Sequence, residues 1–469
     1  MSVERWDGIA RCARSTAARW LGWACLVGMT VLWPGQKPVP AQMQGGPGQL
    51  PITAAHQAAI IDSLARTLNE YYVFPDVAEK MGKLAKSNLK KGEYKSISTL
   101  GEFTQRLTDD FRSVSHDLHL GIHAGEPRES EAEVDSLEIA QRRERQLKNA
   151  REGNFGFNKV EILPGNIGYL LLLGFQPAED AGATAVAAMN FLGNVDGLIF
   201  DLRFNGGGDP SMIQLISSYL FDAPQHLNSF YIRKSDSMQQ FWTAAHVQGP
   251  RLSRVPVYVL TSGGTFSAAE EFTYNLKNMK RATIVGDTTG GGAHPVDQHW
   301  FRIDDQIFVD AFIPFGRAVN PITGTNWEGT GVTPDIAVSS EQALDRAQLD
   351  FFEKRLQTVQ DEDTRFVASW HQKSLQAKIQ PVVLQPEAMN AYIGEYGPRH
   401  ITVESGELFY QRQDRPKFKL VPLGDDQFDL SGLPGFRVKF VRDSAGQVTE
   451  LVGQYDTGDS DSFKRNAKT

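Results

Sequence analysis

Ser267 follows an apolar run and two glycines in VYVLTSGGTFSAAEEFTYNL (257–276), at the point where a helix should begin. A hydroxyl there lies beside unpaired backbone N–H groups and the positive end of a helix dipole. That setting suits a nucleophile, because a tetrahedral intermediate places negative charge where those donors point. Ser267 and Glu270 also have the spacing of an ordinary capping box. A second segment, FDLRFNGGGDP (200–210), leads from a strand-like stretch into Gly206, Gly207 and Gly208. Three successive glycines imply unusual dihedrals or a close backbone approach to a ligand. Their N–H groups could bind an oxyanion or a phosphate. The GxGxxG and GK[ST] spacings of nucleotide sites are absent.

Activating a hydroxyl requires a base. SHDLHLGIH (115–123) gathers His116, His119 and His123. His119 and His123 have the i, i+4 step of metal ligands on a helix, but Gly121 weakens that helix and no HExxH is present. A catalytic histidine and a structural pair both remain open at this stage. Glu328, in NWEGTGVTPDI (326–336), precedes a Gly-rich turn. It could position a water or a substrate amine, or cap the turn.

These residues must be held by a scaffold. Between 53 and about 120 the apolar spacing is helical: Ile60, Ile61, Leu64 and Leu68, then Leu100, Phe103, Leu107 and Phe111. A charged stretch, 126–152, reads as a solvated helix or linker. From 157 onward, buried-strand candidates (166–175, 197–204, 255–262, 282–287) alternate with helix candidates, which predicts crossovers on a largely parallel sheet. Residues 300–315 predict an antiparallel hairpin turning near Asp304-Asp305. The last eighty residues consist of short alternating runs broken by SGE, GDD, LPG and SAGQ, the pattern of a small antiparallel β-domain.

With 469 residues, 41% of them apolar and 22% charged, the chain has the composition of a soluble multidomain protein. A formal charge of −8 argues against a general nucleic-acid binder. Residues 1–41 place four arginines ahead of the apolar WLGWACLVGMTVLW and a Pro-containing segment, the form of a secretory signal cleaved near Ala41. Fourteen residues are short for a membrane span of about 20. Cleavage would remove five cations, two anions, Cys12 and Cys25, leaving a thiol-free chain of charge −11. The expected location is therefore the bacterial periplasm or the exterior, with no stable membrane insertion after cleavage.

Together DLRFNGGG, TSGGTFSAAEEF, RATIVGDTTGGGAHP and NWEGTGVTPDI resemble the S41 peptidase family of tail-specific and C-terminal-processing proteases, over about residues 55–340. The nearer resemblance is to the branch similar to tricorn core protease and interphotoreceptor retinoid-binding protein. It implies a ClpP/crotonase-like β/α core of class α/β, with an N-terminal helical domain and a C-terminal small antiparallel β-domain. The expected division is a signal peptide (1–41), a linker (42–52), the helical domain (53–124), a charged linker or helix (125–157), the core (158–340), a helical connector (341–387) and the β-domain (388–469). About 33 residues at 125–157 are too few for the PDZ module of many relatives.

Carried over by resemblance, Ser267 is the nucleophile, and Ala268 with Gly206 and Gly207 forms the oxyanion hole. His119 matches the base, with His116 second. Glu328 matches a glutamate near the substrate amine, and Ser115 or Asp117 would orient the imidazole. The C-terminal-processing branch carries a lysine twenty-five residues after its serine; here that position is Gly292, so a Ser–Lys dyad is excluded. The expected activity is an exported serine endopeptidase acting on polypeptides, without metal or organic cofactor, with homo-oligomerisation left open. If an imidazole is the base, kcat/KM should rise through a pKa of about 6–7.5. Two alternatives are a non-catalytic binder of apolar, retinoid-like ligands and a crotonase-like acyl-CoA enzyme. Export disfavours the second.

Overall fold

The computed structural model describes residues 46–127 and 136–466. The expected signal peptide, both cysteines and residues 42–45 of the linker lie outside the described residues. No helix among those described is long and apolar enough to cross a membrane.

Helices Ala54–Tyr71, Pro75–Lys91 and Leu100–Ser115 open the described chain. Thr53 and Thr99 cap the first and third through their hydroxyls, and Pro75 starts the second, where its missing N–H has no intrahelical partner to lose. The apolar stripes read from the sequence are the buried faces: Ile60, Ile61, Leu64 and Leu68 lie against Leu100, Phe103, Leu107 and Phe111. The same core takes in Ile307, Val309, Ala311 and Ile313 of the hairpin formed by Val296–Arg302 and Phe308–Pro314. Gly121–Gly125, expected to end the helical domain, is instead a strand paired antiparallel with Phe308–Pro314. The residue types at 121–125 give a strand little intrinsic support; pairing with the hairpin edge makes it one.

The central sheet runs in the order Ile336–Ala337, Ala282–Gly286, Val257–Thr261, Gly197–Asp201, Ile167–Leu172, Phe157–Leu163. All its pairings are parallel except the last. Helices Ala178–Phe191, Pro210–Ser218 and Ala268–Asn278 cover one face. Helix Ala343–Thr358, from the expected connector, covers the other through Ala343, Ala347, Phe351 and Phe352. Burial on both faces explains why VYVLT and GLIFD read as unbroken apolar runs rather than alternating ones. A three-stranded antiparallel sheet of Gly316–Val319, His226–Ile232 and Ser237–Trp242 was not legible in the sequence.

The C-terminal region is an eight-stranded antiparallel meander from Gly394–Tyr396 to Ser460–Lys464, in sequence order. Helix Glu362–Ile379 ties to it: the buried Arg437 guanidinium stacks 3.8 Å from the Trp370 ring centroid and ion-pairs with Asp429.

Candidate active site

Strand Val257–Thr261 is wholly buried, and the chain leaves it through a short turn to Ser267, the residue before helix Ala268–Asn278. Ser267 sits at φ 56°, ψ −121°, a conformation that L-residues seldom adopt and that persists only when its surroundings enforce it. Glu270 is the enforcing group. Its buried carboxylate accepts the Ser267 N–H at 2.9 Å, the Thr289 hydroxyl at 2.5 Å, and the Gly291 and Gly292 N–H groups at 2.7 and 2.9 Å. Burial pushes the Glu270 carboxyl up, while these four donors pull it down. Of the expected capping box, the half in which Glu270 accepts the Ser267 N–H is present. The box reaches beyond the helix to pin the TTGGGAHP loop.

The glycine loop packs against this turn. A Cβ on Gly207 would lie 2.7 Å from the Ser267 Cβ and 3.0 Å from the Ala268 nitrogen, so only glycine fits. However, the Gly207 N–H is donated to the Asn205 side chain at 2.9 Å, and Gly206 is exposed and does not line the cavity. Neither of the two glycines expected in the oxyanion hole therefore presents itself in the cavity lining. Gly208 bridges to Phe175 through its neighbours, with the Phe175 N–H donated to Gly207 O and the Asp209 N–H donated to Phe175 O. Parallel pairing of that kind directs the Gly208 N–H away from Phe175. Gly208 lines the cavity with Ser267 and Ala268.

The three histidines of 115–123 do not converge. His116 is an exposed left-handed C-cap (φ 57°), and His123 is exposed on the strand Gly121–Gly125. Hence no metal site forms from them. His119 lines the cavity with Ser267, its ring 4.6 Å from that of Phe266, and its Nδ1 is buried without a partner. Burial pushes this imidazole down to about 4, so it is neutral at pH 7. Gly292, at the lysine position of the other branch, has no room for a side chain: a Cβ would lie 2.3 Å from Phe266 Cζ and 2.6 Å from His119 Cε1. The imidazole stands where such a side chain would have to begin.

Asp117 is the hub on this side. Fully buried, it accepts the His119 N–H at 3.0 Å and the Tyr72 hydroxyl at 3.3 Å, while the Ser115 hydroxyl accepts its own N–H at 3.2 Å. It also contacts His294 Nδ1 at 2.6 Å. His294, within TTGGGAHP, is a site residue that local spacing does not mark. A histidine inside a Gly-rich loop was the available signal. It is buried, lines the cavity, and lies 3.6 Å from Glu328 Oε2. Glu328 accepts the Ala293 N–H at 2.6 Å, and its Oε1 is buried without a partner. Burial, and then the Asp117 charge, push its carboxyl up to about 7. Ligand atoms of Asp117, His294 and Glu328 lie within 4.8 Å of one another. The 2.6 Å Asp117–His294 contact is a hydrogen bond, with a proton rather than an ion between the two atoms.

A cavity of about 580 Å³ joins these parts. A family described as "Peptidase family S41" matches residues 166–338, and the "N-terminal domain of Peptidase_S41 in eukaryotic IRBP" matches residues 50–153. Together they take in more than half of the chain. A carboxy-terminal-processing protease of Bartonella bacilliformis is 29% identical over 200 residues, 38% of this chain and 40% of the relative. The chain thus matches about two fifths of that curated relative's length. Among solved structures, the photosystem II D1 C-terminal processing protease is 27% identical over 37% of this chain and 43% of its own, with a TM-score of 0.30. The tricorn protease is 12% identical over 65% and 37%, with a TM-score of 0.40.

Proposed function

Because the chain belongs to peptidase family S41, we propose that it is a serine endopeptidase acting on polypeptides in the periplasm or outside the cell. The observation that carries this reading is Ser267, held at positive φ on a helix N-terminus, sharing one cavity with the neutral imidazole of His119. Ser267 Oγ attacks the scissile carbonyl and His119 takes its proton. The N–H groups of Ala268 and Gly208 receive the oxyanion, each worth about 3 kcal/mol in comparable sites. His119 then protonates the leaving amine, and water releases the acyl group by the same route in reverse. Asp117 orients His119 through its backbone N–H and holds His294 beside it. Glu328, 3.6 Å from His294, is assigned to the departing amine on the histidine side. No step calls for a metal or an organic cofactor.

Export rests on residues 1–41, and N-terminal sequencing of the secreted protein tests it. The apolar-ligand alternative has the cavity lining against it, since Asp209, Glu271 and Asp297 all border it. A fluorophosphonate probe with peptide turnover decides between the two. Labelling and turnover are expected in the wild type and absent in Ser267→Ala; equal turnover by both would remove the mechanism.

A further inference from the structure

Glu271 takes no part in the chemistry above, yet it lines the cavity that holds Ser267 while being only 3% exposed. It lies four residues after Ser267, about one turn into the helix that Ser267 precedes. Helical side chains lean toward the N-terminus, so this carboxylate leans back toward the serine. Asn228 and Asn275, both fully buried, flank it. Asp209 lies close enough to act on it electrostatically and, with Asp297, borders the same cavity. Among the described residues, no lysine or arginine lines this space. Its other walls include Phe230, Phe241 and Trp327, with the first two rings 4.8 Å apart.

We propose that Glu271 is a specificity-determining residue, selecting a lysine or arginine side chain on the substrate residue that supplies the scissile carbonyl. The aromatic walls would take the alkyl stem, and Glu271 with Asp209 the cationic head. Asn228 and Asn275 favour the ionised form of the Glu271 carboxylate, but no cation among the described residues neutralises it, so its desolvation cost is one that an arriving cation offsets and a leucine side chain does not. Burial pushes Glu271 up to about 7 against the opposing pull of Asn228 and Asn275, with a smaller upward push from Asp209, so cation entry favours the ionised form. This inference rests on the serine peptidase reading.

The test begins with the wild type and two peptides differing in one residue, lysine or Nε-acetyl-lysine before the scissile bond. Acetylation keeps the length and removes the charge. A drop in kcat/KM of at least tenfold is expected, carried mainly by KM; equal turnover overturns the proposal. Glu271→Gln, checked by thermal unfolding, should shrink that preference at least tenfold, and an unchanged ratio also overturns it. Benzamidine titrated into Ser267→Ala and into Ser267→Ala with Glu271→Gln gives a readout independent of turnover. Binding at least tenfold tighter to the first is expected, and equal binding sinks the assignment. Absence of probe labelling at Ser267 would defeat the peptidase reading alone, and the benzamidine comparison would still decide the role of Glu271.

Discussion

The two halves of the cavity are built on opposite plans. On the serine side, backbone does the work: Ser267 at positive φ, Gly207 touching it, Gly208 wedged against Phe175, and one carboxylate, Glu270, collecting three backbone N–H groups and a hydroxyl. On the histidine side, side chains do it: Asp117, His119, His294 and Glu328 come from the loop after a helix, the Gly-rich loop and a distant turn. The first half is fixed by dihedral geometry and does not titrate near neutrality through its donors. The second is a buried set of ionisable groups whose charges depend on one another. Backbone strain holds Ser267, and desolvation shifts the ionisable groups around His119.

Breaking the serine side should have the largest effect. Gly208→Ala puts a Cβ 2.0 Å from the Phe175 carbonyl oxygen at φ 138°, and a loss of about 4 kcal/mol is expected in urea unfolding. A variant as stable as wild type would mean the loop yields, contrary to a rigid backbone half. On the histidine side, His119→Ala should lower kcat/KM at least about a hundredfold while leaving the fold intact. His116→Ala should cost far less, because that residue is an exposed C-cap. Should His294→Ala lose more than His119→Ala, the imidazole clamped by Asp117 is the base and the roles exchange.

Glu270→Gln places an amide NH2 among donors and removes a charged acceptor. A stability loss of about 2 kcal/mol is expected, together with slower fluorophosphonate labelling of Ser267. Unchanged labelling would show that Glu270 is structural only.

The smallest effect sharpens the contrast through pH. Glu328 has its folded pKa raised from 4.5 to about 7, so its contribution to stability is full below about 4.5 and is lost as pH rises through 7. His119 has its pKa lowered from 6.5 to about 4, so its contribution is present above 6.5 and is lost as pH falls through 4. Between pH 4.5 and 7.5 the wild type should lose stability relative to Glu328→Gln, which carries no titrating carboxyl there. A parallel pH dependence of the two melting temperatures would remove Glu328 from the coupled set. The acid limb of kcat/KM should likewise lie nearer pH 4 than the 6–7.5 expected of a mildly perturbed histidine. Burial against Phe266, invisible in the sequence, makes that difference.

The sequence by itself determined what is local. Helical stripes such as Leu100, Phe103, Leu107 and Phe111 became buried faces, because a 3.6-residue period leaves an amphipathic segment one face to bury. The doubly apolar strands became a parallel sheet covered on both sides, and the Asp304-Asp305 turn became a hairpin. Ser267 and the glycine triplet were legible for the same reason: a nucleophile on a tight turn needs particular residues in consecutive positions. Tertiary structure alone decided the rest. Gly121–Gly125 is a strand only because a hairpin edge nearly two hundred residues away accepts it. Gly208, not Gly206 or Gly207, faces the cavity because Asn205 takes the Gly207 N–H. His294 joins Asp117 across 177 residues, and no spacing rule reaches that far. Residue type and period fix dihedrals and faces, whereas burial and charge at a site are sums over every segment that folding brings there.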